Sequence, residues 1–158
     1  YKNFDFSTYI YTSLGNKIFN MSKWFTDFFG TFEGSGKGVR AKDSWTPALG
    51  NSAIAPIWES ASNLSTSGAS NSWYVEDGSY LRIQNITLGY SLPQDVISKY
   101  KISRLRLYGS AQNLYTFTNY SGYDPEIGSF NQNVLLSGID NGRYPVARTF
   151  LVGLNLEF

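Results

Sequence analysis

The stretch Thr149-Phe150-Leu151-Val152-Gly153-Leu154-Asn155-Leu156-Glu157-Phe158 decides the fold. Phe150, Val152, Leu154, Leu156 and Phe158 share one parity, with Thr149, Gly153, Asn155 and Glu157 between them and Leu151 as the one exception. Successive side chains of a strand point to opposite faces, so this spacing describes a strand with one apolar and one polar face. Working back along the chain, Leu105, Leu107, Gly109 and Ala111 alternate with Arg106, Tyr108, Ser110 and Gln112 in a strand over about 104–116. In a strand over 79–92, Ile86, Leu88, Tyr90 and Leu92 share a parity, while Leu81 and Ile83 fall on the other. Either a bulge near Gln84 or an inward-packing first part accounts for the switch. A first strand over 3–14 carries Phe4, Phe6, Thr8, Ile10 and Leu14 on one parity.

Composition narrows the chemistry. The 158 residues suggest one domain. Thirteen Lys and Arg against 12 Asp and Glu give a net charge of +1, which offers no electrostatic case for nucleic acid. Aromatic residues make up 17% of the chain, too many for a disordered segment. With no Cys and no His, disulfides, thiolate or imidazole metal sites and Ser-His-Asp machinery are excluded within these residues. No cofactor and no enzymatic activity are expected.

Between the strands lie two long connections, 15–78 and 117–147, and a short one at 93–103. A connection as long as 15–78 is either functional or holds small elements of its own. A short helix is expected over Phe19 to Phe29, and Val96, Ile97 and Tyr100 allow one helical turn after Pro93. Gly34-Ser35-Gly36-Lys37-Gly38 is not a phosphate loop: Thr31 stands where the first glycine belongs and Gly38 where Ser or Thr belongs.

Four strands cannot make two good sheets of a sandwich. Short turns at one end, long loops at the other and strands of about 9–11 residues or more describe a transmembrane barrel, whose smallest members have eight strands. The chain is therefore expected to be all-β, part of a barrel, and cut from something longer, since Tyr1 already sits in a strand-like pattern without an initiator Met.

Several blocks carry a resemblance. Val75-Glu76-Asp77-Gly78-Ser79-Tyr80-Leu81-Arg82-Ile83-Gln84-Asn85-Ile86-Thr87-Leu88-Gly89-Tyr90, the strand from Arg104 to Thr116, Tyr120-Ser121-Gly122-Tyr123-Asp124-Pro125-Glu126 and the end from Tyr144-Pro145 to Phe158 are similar, in order, to blocks of SusC/RagA-type TonB-dependent outer-membrane transporters. The resemblance implies the last four antiparallel strands of a 22-stranded barrel (about 3–14, 79–92, 104–116 and 147–158), with 15–78 and 117–147 as extracellular loops. It also implies a plug domain that this chain lacks, contact with TonB through that plug, and a SusD-like surface lipoprotein as partner. Residence in a Gram-negative outer membrane, surrounded by its lipid, goes with it. Gly153, Leu154, Leu156 and Phe158 resemble the terminal signal read by the barrel-assembly machinery.

Trp45, Trp58, Trp73, Tyr120 and Tyr123 are candidates to stack on sugar rings, with loop packing as their plainer role. Tyr11, Tyr90 and Tyr115 sit near strand ends and suit an interfacial belt. Asp124 and Glu126 are weak candidates for a metal ion, against a simple turn role for Asp-Pro-Glu, and Glu76-Asp77-Gly78 reads as a turn entering a strand. Residues 15–78 carry five Lys/Arg and six Asp/Glu, and 117–147 carry Arg143 against Asp124, Glu126 and Asp140. No basic cluster waits for an anion, which favours a neutral oligomer, a glycan ahead of a peptide. The rival reading is a soluble carbohydrate-binding β-sandwich, which would share the aromatics and the low charge.

Overall fold

The computed structural model describes residues 2–27, 38–39, 42, 46–50, 71–128 and 133–158. Among them run seven strands, β1 Phe4–Ser13, β2 Lys17–Asn20, β3 Val75–Asp77, β4 Tyr80–Ser91, β5 Arg104–Thr118, β6 Ile139–Asp140 and β7 Thr149–Glu157, with two short helices, α1 Ser22–Thr26 and α2 Gln94–Ile97. The chain divides into two compact units.

The first unit comprises Tyr1–Leu14, Ser79–Thr118 and Pro145–Phe158. It is one antiparallel sheet in the order β1-β4-β5-β7. The register stacks apolar positions into continuous rows: Phe6, Leu88, Gly109 and Val152 in one, Phe4, Tyr90, Leu107 and Leu154 in the next, then Leu105 beside Leu156. This face is open. Phe150 is 70% exposed, Val152 92% and Leu154 60%. A soluble monomer rarely leaves a continuous apolar face uncovered.

The parity switch in β4 is a bulge. Tyr9 pairs with Asn85 and Ile10 with Ile83, so Gln84 is the extra residue against β1. In β5, Asn113, at φ 51°, lies in the matching irregularity between Gln112 and Tyr115. Beyond the bulge Ile83 joins Ile10 and Tyr115, and Leu81 joins Thr12 and Phe117, so the apolar face continues unbroken. Aromatic pairs mark both ends of that face. The Phe4 and Tyr90 rings lie 4.6 Å apart at one end, and those of Tyr115 and Phe117 lie 4.7 Å apart at the other. Tyr11 departs from the belt expected of it. It pairs with Arg82 on the opposite face, its ring 5.9 Å from that of Tyr80.

The connection from β4 to β5 is built, not slack. A 3-10 turn, Ser98–Tyr100, continues α2 and ends at Lys101, whose φ of 58° turns the chain back. Ile97 is buried, the Leu92 N–H donates to the Leu105 carbonyl at 2.8 Å, and the Ser103 N–H donates to the Glu157 carbonyl at 2.8 Å.

The second unit comprises Gly15–Gly78 and Asn119–Tyr144. Its small sheet has the order β3-β2-β6, with β2 and β6 parallel. Of the helix expected over Phe19–Phe29, Phe19 belongs instead to β2 and α1 covers Ser22–Thr26, while Phe28 and Phe29 lie outside the described residues. Ile18 is buried and the Phe19 ring lies 5.1 Å from that of Tyr74. Gly78 turns the chain out of β3, its N–H donating to the Asn16 carbonyl at 2.9 Å. A Cβ there would run into the Asn16 and Ile18 side chains.

Candidate functional site

The sheet's second face is polar and internally bonded. Arg106 on β5 reaches diagonally to Asp5 on β1, with Nε to Oδ1 at 2.8 Å and Nη2 to Oδ2 at 2.5 Å. The fork passes over Gly89, where any Cβ would collide with both side chains, and Tyr108 lies likewise over Gly153. Further along, the Thr87 hydroxyl donates to Ser110 Oγ at 3.0 Å and Arg82 Nε donates to Thr116 Oγ1 at 2.9 Å. Small residues under long polar ones let this face carry charge and aromatic edges close to the backbone. Asn155 falls on it opposite Arg106, and Leu151 opposite Ser110.

The second unit is organised around buried charge. Lys23 of α1 ion-pairs with Glu76 of β3 at 2.8 Å, donates to the Trp73 carbonyl at 2.7 Å and stands 4.7 Å from the Trp73 ring centre. Glu76 also accepts from Asn20 Nδ2 at 3.1 Å, from the Ser121 N–H at 2.9 Å and from Ser121 Oγ at 2.7 Å. Burial alone would raise the Glu76 carboxyl. The hydrogen bonds from Lys23 and Ser121, with the Lys23 charge, outweigh it and hold the group below its ordinary value.

A second knot surrounds Asp140 of β6. Its Oδ2 accepts from the Tyr120 hydroxyl at 2.5 Å, and its Oδ1 from the Gly142 and Arg143 N–H groups at 2.9 and 3.0 Å. Burial first, then the hydrogen bond and charge of Asp140, push the Tyr120 phenol well above its usual value. Tyr74 is pushed up to about 12 by burial and by the Asp27 charge. Asp27 itself accepts from Trp73 Nε1 at 3.1 Å.

These contacts place the residues singled out from the sequence. Trp73 is half-buried, its N–H and one ring face engaged inside the unit, and Tyr120 is buried with its hydroxyl on Asp140. Tyr123 stands 75% exposed. Trp45 and Trp58 lie outside the described residues. Asp124 is buried and accepts the Glu126 N–H at 2.9 Å in a turn, while Glu126 is exposed. Among the described residues no group of three acidic side chains is arranged to hold a metal ion. Gly153, Leu154 and Leu156 are in β7 and Phe158 follows it, exposed. Glu76 is the residue the sequence undervalues. It is no mere turn residue but the hub of the first knot, and only its place in Glu-Asp-Gly ahead of a strand marks it.

A sheet whose apolar face is open, whose other face is polar and internally bonded, and whose strands are long enough for a bilayer defines a section of transmembrane β-barrel wall. No family model matches the chain. TonB-dependent receptor P3 of Formosa agariphila is 36% identical over 100% of this chain and 15% of its own length. TonB-dependent receptor SusC of Bacteroides thetaiotaomicron is 34% identical over 100% of this chain and 14% of its own length. In the solved structure of the RagAB peptide transporter, 24% identical, the match has a TM-score of 0.79 and covers 99% of this chain and 16% of that one. The chain belongs to the SusC/RagA-type family of TonB-dependent receptors, and spans about one seventh of the length of the curated relatives it matches.

Proposed function

We propose that these residues are the last four strands of a 22-stranded outer-membrane barrel, with 15–78 and 117–147 as its extracellular loops. The whole transporter imports oligomeric nutrients by TonB-driven uptake. The observation that carries the reading is the two-faced sheet: an exposed apolar face rimmed by aromatic pairs, backed by the Asp5–Arg106 and Arg82–Thr116 contacts. Likeness over the whole chain to TonB-dependent receptors supports it. A soluble sandwich would cover this apolar face.

On this reading the segment makes and breaks no bond. It closes the cylinder, lines the lumen with its polar face and holds the loops in shape through the Glu76 and Asp140 knots. A SusD-like lipoprotein would cover the outer mouth, TonB would act through a plug supplied elsewhere in the protein, and the barrel-assembly machinery would take β7 as its template, an end strand with free backbone groups.

For cargo, a neutral oligomer fits loops without a basic cluster, and a glycan suits the loop aromatics. Exposed Tyr123 leads that set, with Trp45 and Trp58 as further candidates; the engaged rings of Trp73 and Tyr120 serve the loop scaffold first. The test is uptake by the whole transporter carrying Trp45→Ala, Trp58→Ala or Tyr123→Ala, on candidate glycans and on a peptide mixture. Reduced glycan uptake at unchanged barrel levels is expected. Unchanged glycan uptake in all three, with peptides taken up instead, removes the glycan assignment and leaves the transporter.

A further inference from the structure

We propose that the turn between β4 and β5, residues 92–103, is a foot that seats in anionic phospholipid headgroups at the periplasmic surface of the membrane. The inference rests on reading the sheet as barrel wall. The order of chemistry along the sheet points to it. From the middle towards this turn the open face runs through the Phe6–Leu88–Gly109–Val152 row to the Phe4–Tyr90 aromatic pair. Next on the same face come Leu105 and Leu156, one residue short of the strand ends, where the exposed Arg104–Glu157 pair, 3.7 Å apart, lies on the other face. Beyond that row Lys99 and Lys101 stand exposed. Hydrocarbon, aromatic rim and cations thus follow one another as acyl chains, interface and headgroups do.

The turn is shaped to present these groups. Ile97 alone of its short helix is buried, the Gln94 side chain donates across the turn to the Ser103 carbonyl, and the Ser103 N–H ties the turn to the Glu157 carbonyl of β7 at 2.8 Å. Val96 and Tyr100, one helical turn apart, are left outward at 50% and 73% exposure. An aliphatic and an aromatic side chain beside two flexible cations is the pattern of an interfacial anchor: rings at the headgroup level, ammonium groups reaching to phosphate. Residues 92–103 hold Lys99 and Lys101 against Asp95, so the local balance is positive although the whole chain is close to neutral. The occupant is accordingly an anionic lipid, and the sheet's apolar face continues into it.

The whole transporter is reconstituted in phosphatidylcholine vesicles with and without phosphatidylglycerol. A bimane label is placed on Tyr100→Cys or, separately, on Leu154→Cys, and lipids carry a quencher on the headgroup or at mid-chain. Heat-modifiable migration confirms that each variant is folded; if Tyr100→Cys fails to fold, Val96→Cys carries the label. The expected result is headgroup quenching at position 100 and mid-chain quenching at position 154. In a Lys99→Gln/Lys101→Gln background, preference for phosphatidylglycerol around position 100 should fall about fivefold per lysine. Quenching at 154 with none at 100, or quenching at 100 that ignores phosphatidylglycerol, overturns the foot and leaves the barrel. No quenching at either position overturns the barrel reading itself.

Discussion

The two units of this chain solve opposite problems. In the sheet, large apolar side chains are outside and polar ones meet across the other face, as with Asp5, Arg106, Thr87 and Ser110. In the second unit the most deeply enclosed side chains include Asn20, Asp27 and Asp140, and Lys23 and Asp124 are buried too. On the barrel reading the sheet takes its stability from a surrounding apolar solvent and from the backbone ladder shared between neighbouring strands. The loop unit depends on charge-assisted hydrogen bonds between segments far apart in sequence, such as Ser121 to Glu76 and Lys23 to Glu76. One unit should therefore fail when a charge is added, the other when a charge is removed.

The largest expected effect is in the loop unit. Glu76→Ala strands the Lys23 ammonium, and breaking a buried pair from one side typically costs about 3–5 kcal/mol. Hydrogen exchange of the segment around 119–128 in the whole transporter should rise sharply while β5 stays protected. Equal loss of protection in β5 would break the distinction between the units. Leu154→Arg comes next, at about 2–4 kcal/mol if the residue lies at mid-depth, read from the denaturant midpoint of the folded barrel. Asn155→Ser, one residue along on the other face, should stay within about 0.5 kcal/mol.

A pH series sharpens the contrast. The Glu76 carboxyl is held below its ordinary value of 4.5, so its share of loop stability is fully present above that pH and is lost as pH falls through the lowered value. Exchange around 119–128, corrected for the intrinsic rate, should accelerate below about pH 4.5 in the native protein. Glu76→Gln should remove that slope. A slope that survives the substitution would assign it to another carboxylate. The smallest effect belongs to Tyr123→Ala, an exposed ring: stability should move by no more than about 0.5 kcal/mol, so any loss of uptake would report on cargo.

The sheet was legible because a ladder forces alternation on its residues. Leu81 and Ile83 stood on the wrong parity for their strand, and the Gln84 bulge makes that misfit a feature of the register. Tyr11 was misplaced because nearness to a strand end does not tell which face a ring takes. The loop unit was hardly legible at all. Its strands are two to four residues long, too short for a period, and β2 meets β6 across more than a hundred residues. Nothing local marks Asn20, Asp27 and Asp140 as buried, since the partners that enclose them, Glu76, Trp73 and Tyr120, lie 20 or more residues away.

A role as barrel wall requires that the open face meet lipid, and β7 gives the most direct measurement. Single spin labels are placed in turn at positions 150 to 157 of the whole transporter in lipid vesicles, and their accessibility to oxygen and to a water-soluble nickel complex is recorded. Positions 150, 152, 154 and 156 should favour oxygen, and 151, 153, 155 and 157 should not, a period of two in step with the sheet. A flat profile, or one in which 154 and 156 favour nickel while 153 and 155 favour oxygen, would contradict the barrel wall.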